Sequence, residues 1–329
     1  MAVLVGKDDS RQIPRFYLDK IDAPVFDFRS PNFTALYKQK RPNLVLSVIG
    51  NFSQSLIFRK SILFVRSKIE EYRPDAVINF YEMITGVVFR TYRLDKKLNI
   101  KLISIAHQYM LLNPKYKTTN EQDIKFYFLR MITRVTCRCS SKILALSFRD
   151  MPGCSEKNLV VVPPLLRPEV FENEPTDGDY VHGYMINTGY YEEVLDWHTK
   201  NPHIPLRFFW DKKDADDVTV IDENLILYRI NDELFLKSMA GCMAYSTTSG
   251  FESVCEALYY KKPILMIPVH VEQEFNAYDA SLSGAGISSG KFKLNKLLNF
   301  IPHYRPDENF RDWVHQAEER FIKEICESN

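Results

Sequence analysis

The chain has 329 residues, of which 45% are hydrophobic, 13% aromatic and 26% charged, a profile that excludes a disordered or fibrous protein and predicts two domains of roughly 150 residues with a cleft between them. Lys and Arg number 43 against 42 Asp and Glu, a formal net charge of +1, so no global field selects nucleic acid or an anionic membrane and any basic patch is local. The six cysteines are scattered without zinc-ligand spacing. With neither a signal peptide nor an apolar run of about 18 residues, the chain is expected to be cytoplasmic with reduced thiols.

Ala2-Val3-Leu4-Val5-Gly6 reads as a short strand, Asn43-Leu44-Val45-Leu46-Ser47 as a second, residues 53–72 as a helix, and Ala76-Val77-Ile78-Asn79 behind Pro74 as a buried strand. Lys101-Leu102-Ile103-Ser104-Ile105, a helix over 126–137, and the runs at 142–146 and 159–162 complete a strand-helix series that predicts a parallel α/β domain over residues 1–168. Pro163-Pro164 and the polar segment 172–179 are poor core material and mark a linker. A second series follows, with strands at 184–187, 206–210, 225–228 and 242–245 and helices at 191–199 and 232–239, giving a second domain over 169–306. Phe310, Trp313, Val314, Ala317, Phe321 and Ile325 recur at helical spacing, so residues 307–329 are expected to pack along the domains as one amphipathic helix. No internal repeat is apparent.

The stretch from Ser246 to Leu258, followed by Lys262-Pro263 and the apolar run ending at Pro268, reads strand, tight loop, helix, strand. Ser249 with Glu252 three residues on has the form of a capping box, which predicts a helix N-terminus at the loop. Phe251, Val254, Cys255 and Leu258 form its apolar stripe, placing Ser249, Ser253 and Glu256 on another face. Free N–H groups and the positive dipole end there suit a diphosphate, with Ser249 and Gly250 small enough for close approach. Glu256, about two turns along, can accept both hydroxyls of a ribose. An ordinary capped helix with an exposed glutamate is the alternative.

Ser249-Gly250, Ser253-Val254, Glu256-Ala257, the Lys262-Pro263 turn, Pro268, Glu272-Gln273-Glu274-Phe275-Asn276-Ala277 and Gly284-Ala285-Gly286 resemble the donor-site signature of GT-B glycosyltransferases. The resemblance is strongest to the family 28-like branch containing the bacterial N-acetylglucosaminyltransferase of the cell-wall lipid precursor. It implies two Rossmann-like domains with a cleft between them, a loop that holds the donor diphosphate, Glu256 on ribose and Gln273 on the transferred sugar. Gln273 and Asn276 otherwise read as helix caps. The resemblance also places Arg229 and Ile230 beside the nucleobase. Asn187-Thr188-Gly189-Tyr190 opens another strand-to-helix junction, with Gly189 either in a second wall of the phosphate site or in a simple cap.

In the first half, His107 follows an apolar strand and is a candidate base, or a hydrogen-bonded structural residue. Glu82, beyond the strand at 76–79, is the alternative base, or a solvated loop residue. Phe52, Phe58, Phe64, Tyr92 and Tyr109 either border an acceptor groove or belong to the core. The family's opening strand and Gly-rich, His-bearing loop have no counterpart here, so the first domain is expected to lack its first strand-helix unit. The expected activity is inverting, metal-independent transfer of a sugar from a nucleotide-sugar, of UDP type, to a glycan or lipid-linked hydroxyl in cell-envelope polysaccharide synthesis. Asp214-Ala215-Asp216 reads as a solvated turn and not a metal site. No cofactor is expected and no nucleic acid; a peripheral contact at the inner face of the membrane fits a lipid-linked acceptor. A sugar-nucleotide epimerase of the same fold and a catalytically inactive nucleotide-sugar-binding protein are the alternative functions.

Overall fold

The computed structural model describes residues 1–7, 13, 18–31, 55–95, 100–116, 124–185, 188–212 and 215–326. The strand expected over 43–47, together with Phe52, Asn187 and Asp214, lies outside the described residues. Strands β1 (Val3–Lys7) and β2 (Val25–Arg29) form a parallel pair in the register Val3 to Val25. Helix α1 (Ser55–Tyr72), β3 (Ala76–Asn79), α2 (Met83–Asp95), β4 (Lys101–Ala106), a 3-10 segment (His107–Leu112), α3 (Ile124–Thr136), β5 (Lys142–Leu146) and β6 (Leu159–Val162) follow. Their strands make a parallel sheet of order β3-β4-β5-β6. Leu102, Ile103, Leu144 and Val162 are buried in it, as continuous apolar runs should be in a sheet covered on both faces.

The second half carries β7 (Val181–Met185), α4 (Tyr191–Lys200), β8 (Leu206–Trp210), β9 (Val218–Val220), β10 (Leu225–Arg229), α5 (Asp232–Ala240), β11 (Ala244–Thr247), α6 (Phe251–Tyr259), β12 (Ile264–Met266), α7 (Val271–Leu282), β13 (Gly286–Ser288) and α8 (Leu294–Phe300). Its seven strands run β13-β12-β11-β7-β8-β10-β9, all parallel except the edge strand β9. The chain builds outward from β7 through β8 to β10, then crosses to β11 on the other side of β7. That reversal is a topological switch point, the crevice where doubly wound sheets take their ligands. The α/β architecture with two parallel sheets is the one expected.

Glu82 stands in the turn between β3 and α2, and Gly86 lets α2 press on α3: a Cβ there would lie 2.1 Å from the Val135 carbonyl oxygen. The expected single C-terminal helix needs correction: it is two, α9 (Phe310–His315) and α10 (Ala317–Cys326), which meet at Gln316. Tyr92 and Tyr109 are core residues, and Phe58 and Phe64 pack against the core from partly buried positions. Helices α9 and α10 return to the first half, where Trp313 Nε1 donates to the Ser147 carbonyl at 2.9 Å and Lys142 pairs with Glu324 at 2.6 Å. One apolar cluster holds Ile103 and Leu144 of the first sheet together with Val254, Phe275 and Trp313.

Candidate active site

The carboxyl ends of β7 and β11 are neighbours, since Thr247 lies opposite Tyr184. Beyond β7 the 3-10 turn Thr188–Tyr190 presents an exposed Gly189. Beyond β11 the loop enters α6 through Ser249, whose φ of 63° is left-handed. The predicted capping box is therefore not formed. Gly250 is the N-cap residue, the helix start has no side-chain cap, and the Ser249 hydroxyl is buried without a partner, as is that of Thr248. A Cβ on Gly250 would have only Ser253 Oγ within 4 Å, at 3.6 Å. An uncapped helix N-terminus beside unpaired hydroxyls, at the switch point, can hold a diphosphate through N–H groups and the helix dipole.

Glu256 is not the exposed glutamate of an ordinary capped helix. Helix α6 is buried on nearly every side, and Glu256 is 5% exposed. Arg167 grips it side-on, Nε donating to Oε1 at 2.7 Å and Nη2 to Oε2 at 3.3 Å. Burial raises the Glu256 carboxyl above its ordinary range while the guanidinium pulls it back. Gln273 Oε1 accepts from the Val269 N–H at 2.9 Å, so this side chain ties the loop before α7 as a cap would. Arg229 and Ile230 are exposed at the end of β10, and Arg229 pairs with Asp217.

His107 is the main correction. It stands at the end of β4 as expected, yet it is 2% exposed. Its ring stacks on Phe251 at 4.2 Å and on Phe275 at 4.6 Å, with Phe148 edge-on. Nδ1 meets Asn276 Oδ1 at 3.2 Å and Nε2 meets Asp279 Oδ2 at 2.8 Å. Asn276 turns its Nδ2 to the Ser249 carbonyl at 3.2 Å, so both ring nitrogens face acceptor oxygens. Two donors are then required, and His107 and Asp279 together hold one proton more than a neutral imidazole and a free carboxylate. Burial pushes His107 down to about 3 and Asp279 up, which favours a neutral ring accepting from a protonated Asp279. Arg149 completes the knot, its Nη1 donating to Asp279 Oδ1 at 2.7 Å and to Ser283 Oγ at 2.8 Å. His107 and Arg149 of the first half thus clamp α7 of the second, and the imidazole has no free edge toward the cleft.

Glu82 is better placed for proton transfer. It borders a cavity of about 250 Å³ lined by Gly6, Ser30, Tyr81 and Thr136 of the first half and Glu272 of the second. Asn79 holds the turn, accepting from the Glu82 N–H at 3.0 Å. Glu82 Oε1 accepts from the Ile84 N–H at 2.9 Å, capping α2, and from Ser30 Oγ at 2.8 Å. Oε2 lies over Gly6, where a Cβ would sit only 2.1 Å from it. Burial raises this carboxyl despite the donors that favour its charged form. Arg167, Arg149, Asp279 and Ser30 were not among the predicted site residues; each acts through a partner distant in sequence.

Solved structures share this arrangement of both halves. The glycosyltransferase of kitacinnamycin aligns with a TM-score of 0.58 at 15% identity, over 93% of this chain and 87% of its own. Arabidopsis thaliana UGT89C1 complexed with UDP-L-rhamnose aligns with a TM-score of 0.58 at 14% identity, over 99% and 91%. Phytolacca americana UGT2, complexed with UDP-2fluoro-glucose and pterostilbene, gives 0.57 at 12% identity, over 98% and 88%. No curated protein matches the sequence. At these identities the likeness concerns the GT-B fold alone, but residues 21–303 also match a sequence family as such, and the chain belongs to glycosyl transferase family 1.

Proposed function

We propose that the chain transfers a sugar from a UDP-sugar to a hydroxyl on a glycan or lipid-linked acceptor, with inversion at the anomeric carbon. The observation that carries this reading is the uncapped start of α6 beside the buried, unpaired hydroxyls of Thr248 and Ser249, at the carboxyl end of β11 next to β7. Backbone N–H groups and the dipole of α6 would stabilise the departing diphosphate without a bound cation. Glu256 would receive the ribose hydroxyls, with Arg229 and Ile230 beside the base and Gln273 toward the sugar, while Asn276 holds the Ser249 loop through its Nδ2. Glu82, on the acceptor side, takes the role of base, removing the proton of the attacking hydroxyl. UDP-sugars in the structures of two GT-B neighbours support the donor class.

Calorimetry with UDP on the full chain and on Glu256→Ala tests the donor site. Loss of a charge-assisted hydrogen-bond pair should weaken binding about tenfold or more. Equal affinity in both proteins rejects the site. Product analysis of a UDP-sugar with and without acceptor separates transfer from epimerisation, because an epimer formed without acceptor removes the transferase reading.

A further inference from the structure

Arg167 belongs to the segment that joins the two halves, and its place is fixed on several sides. Its backbone is extended at φ −69° and ψ 148°, as the following Pro168 demands. Its carbonyl accepts from the Val170 N–H at 3.0 Å, and the Val170 carbonyl in turn accepts from Tyr260 Oη at 3.0 Å, just beyond the end of α6. The connecting segment is therefore moored to the helix that carries Glu256. From that mooring the guanidinium reaches in two directions. Nε and Nη2 take the two oxygens of Glu256, and Nη1 lies 3.3 Å from Asp232 Oδ1. Asp232 is the first residue of α5, directly after the Arg229-Ile230-Asn231 loop. Asn231 caps that helix by accepting from the Leu234 N–H at 2.9 Å, so the Asp232 end of the bridge rests on a fixed helix start. The Arg167 side chain remains 32% exposed while that of Glu256 is 6% exposed.

These contacts do more than neutralise a charge. A carboxylate that is to accept two vicinal hydroxyls must be ionised and must hold its plane, and a nearly buried glutamate left alone would satisfy neither condition. A side-on guanidinium meets both, and it leaves the second lone pair of each carboxylate oxygen free for another donor. We propose that Arg167 is the positioning residue of the donor site, holding Glu256 as a fixed, charged acceptor for the ribose hydroxyls and tying it through Asp232 to the loop beside the base. This rests on the donor-site reading above.

The test is ribose selectivity, measured by calorimetry with UDP and with 2′-deoxy-UDP on the full-length wild type, Arg167→Met, Arg167→Lys and Glu256→Gln. The wild type should prefer UDP by about tenfold, the worth of a hydroxyl donated to a charged acceptor. Arg167→Met should bring that preference close to one, matching Glu256→Gln, because the carboxylate loses its charge and its orientation. Arg167→Lys, which keeps the charge without the fork, should retain part of the preference and serves if the methionine variant does not fold. A full preference for UDP in Arg167→Met, an equal loss of affinity for both nucleotides, or tighter UDP binding than wild type each overturns the proposal while leaving the donor site standing. A wild type that does not distinguish the two nucleotides removes the ribose role of Glu256, and the role of Arg167 with it.

Discussion

Replacing Arg149 by Met tests whether the two halves are locked by the buried polar knot around Asp279. The Asp279 side chain is 0% exposed and that of Arg149 26%, and the change preserves the aliphatic stem while removing the donor at 2.7 Å. Deleting the donor leaves a buried oxygen of Asp279 unsatisfied, which costs about 1–3 kcal/mol while Asp279 keeps its proton and about 3–5 kcal/mol once it is ionised and desolvated, out of a total stability on the order of 5–15 kcal/mol. Protonation of Asp279 caps the loss. In the variant its folded pKa rises further above the unfolded value of about 3.9. A group raised on folding contributes stability that is fully present below its unfolded pKa and lost as pH rises through its folded pKa. The difference between wild type and variant should therefore be large at pH 8 and should shrink on acidification toward pH 5. Urea unfolding at both values, read as a change in midpoint at constant slope, measures it. A loss under about 1 kcal/mol at pH 8, the size expected of a surface pair, or a loss independent of pH, refutes the argument.

Glu82→Gln should lower kcat by about a hundredfold or more, the contribution of a positioned base, with UDP affinity unchanged; full activity in the variant ends its role as base. Since burial raises the Glu82 carboxyl and only its charged form accepts a proton, the wild-type rate should fall as pH drops through that raised pKa, and the residual rate of Glu82→Gln should show no such fall. Gly6→Ala places a methyl 2.1 Å from Glu82 Oε2, so the carboxylate must move and activity should drop while UDP still binds, as steady-state kinetics and calorimetry together would reveal. Ser249→Val forces a β-branched residue into a left-handed conformation at φ 63° and should cost about 1–3 kcal/mol, whereas Ser249→Gly should be tolerated; thermal unfolding of the two variants gives the comparison.

Local chemistry made most of the architecture legible. Apolar runs such as Leu102-Ile103 and Val160-Val161-Val162 have no polar face, so they can only be strands inside a sheet covered on both sides. The run from Ser246 to Leu258 marks a strand, a loop and a helix for the same reason. Charges and polar atoms were harder to assign, because their partners come from far along the chain. His107 is separated by 172 positions from Asp279, and Arg167 by 89 from Glu256. Nothing in the periodicity around either residue distinguishes a ring facing solvent from one stacked between Phe251 and Phe275.

The sequence by itself therefore determined the α/β class, most of the strands of the two parallel sheets and the loop at Ser249 and Gly250, since each follows from hydrophobic pattern and residue size within a few neighbours. Tertiary structure alone decided that β7 and β11 lie side by side, that His107 clamps the first half to α7, that Glu82 caps a helix at the edge of a cavity, and that Glu256 is held by Arg167. Those outcomes depend on which distant groups are brought within hydrogen-bond reach and shut off from water, and only the packing of the two halves against each other sets that.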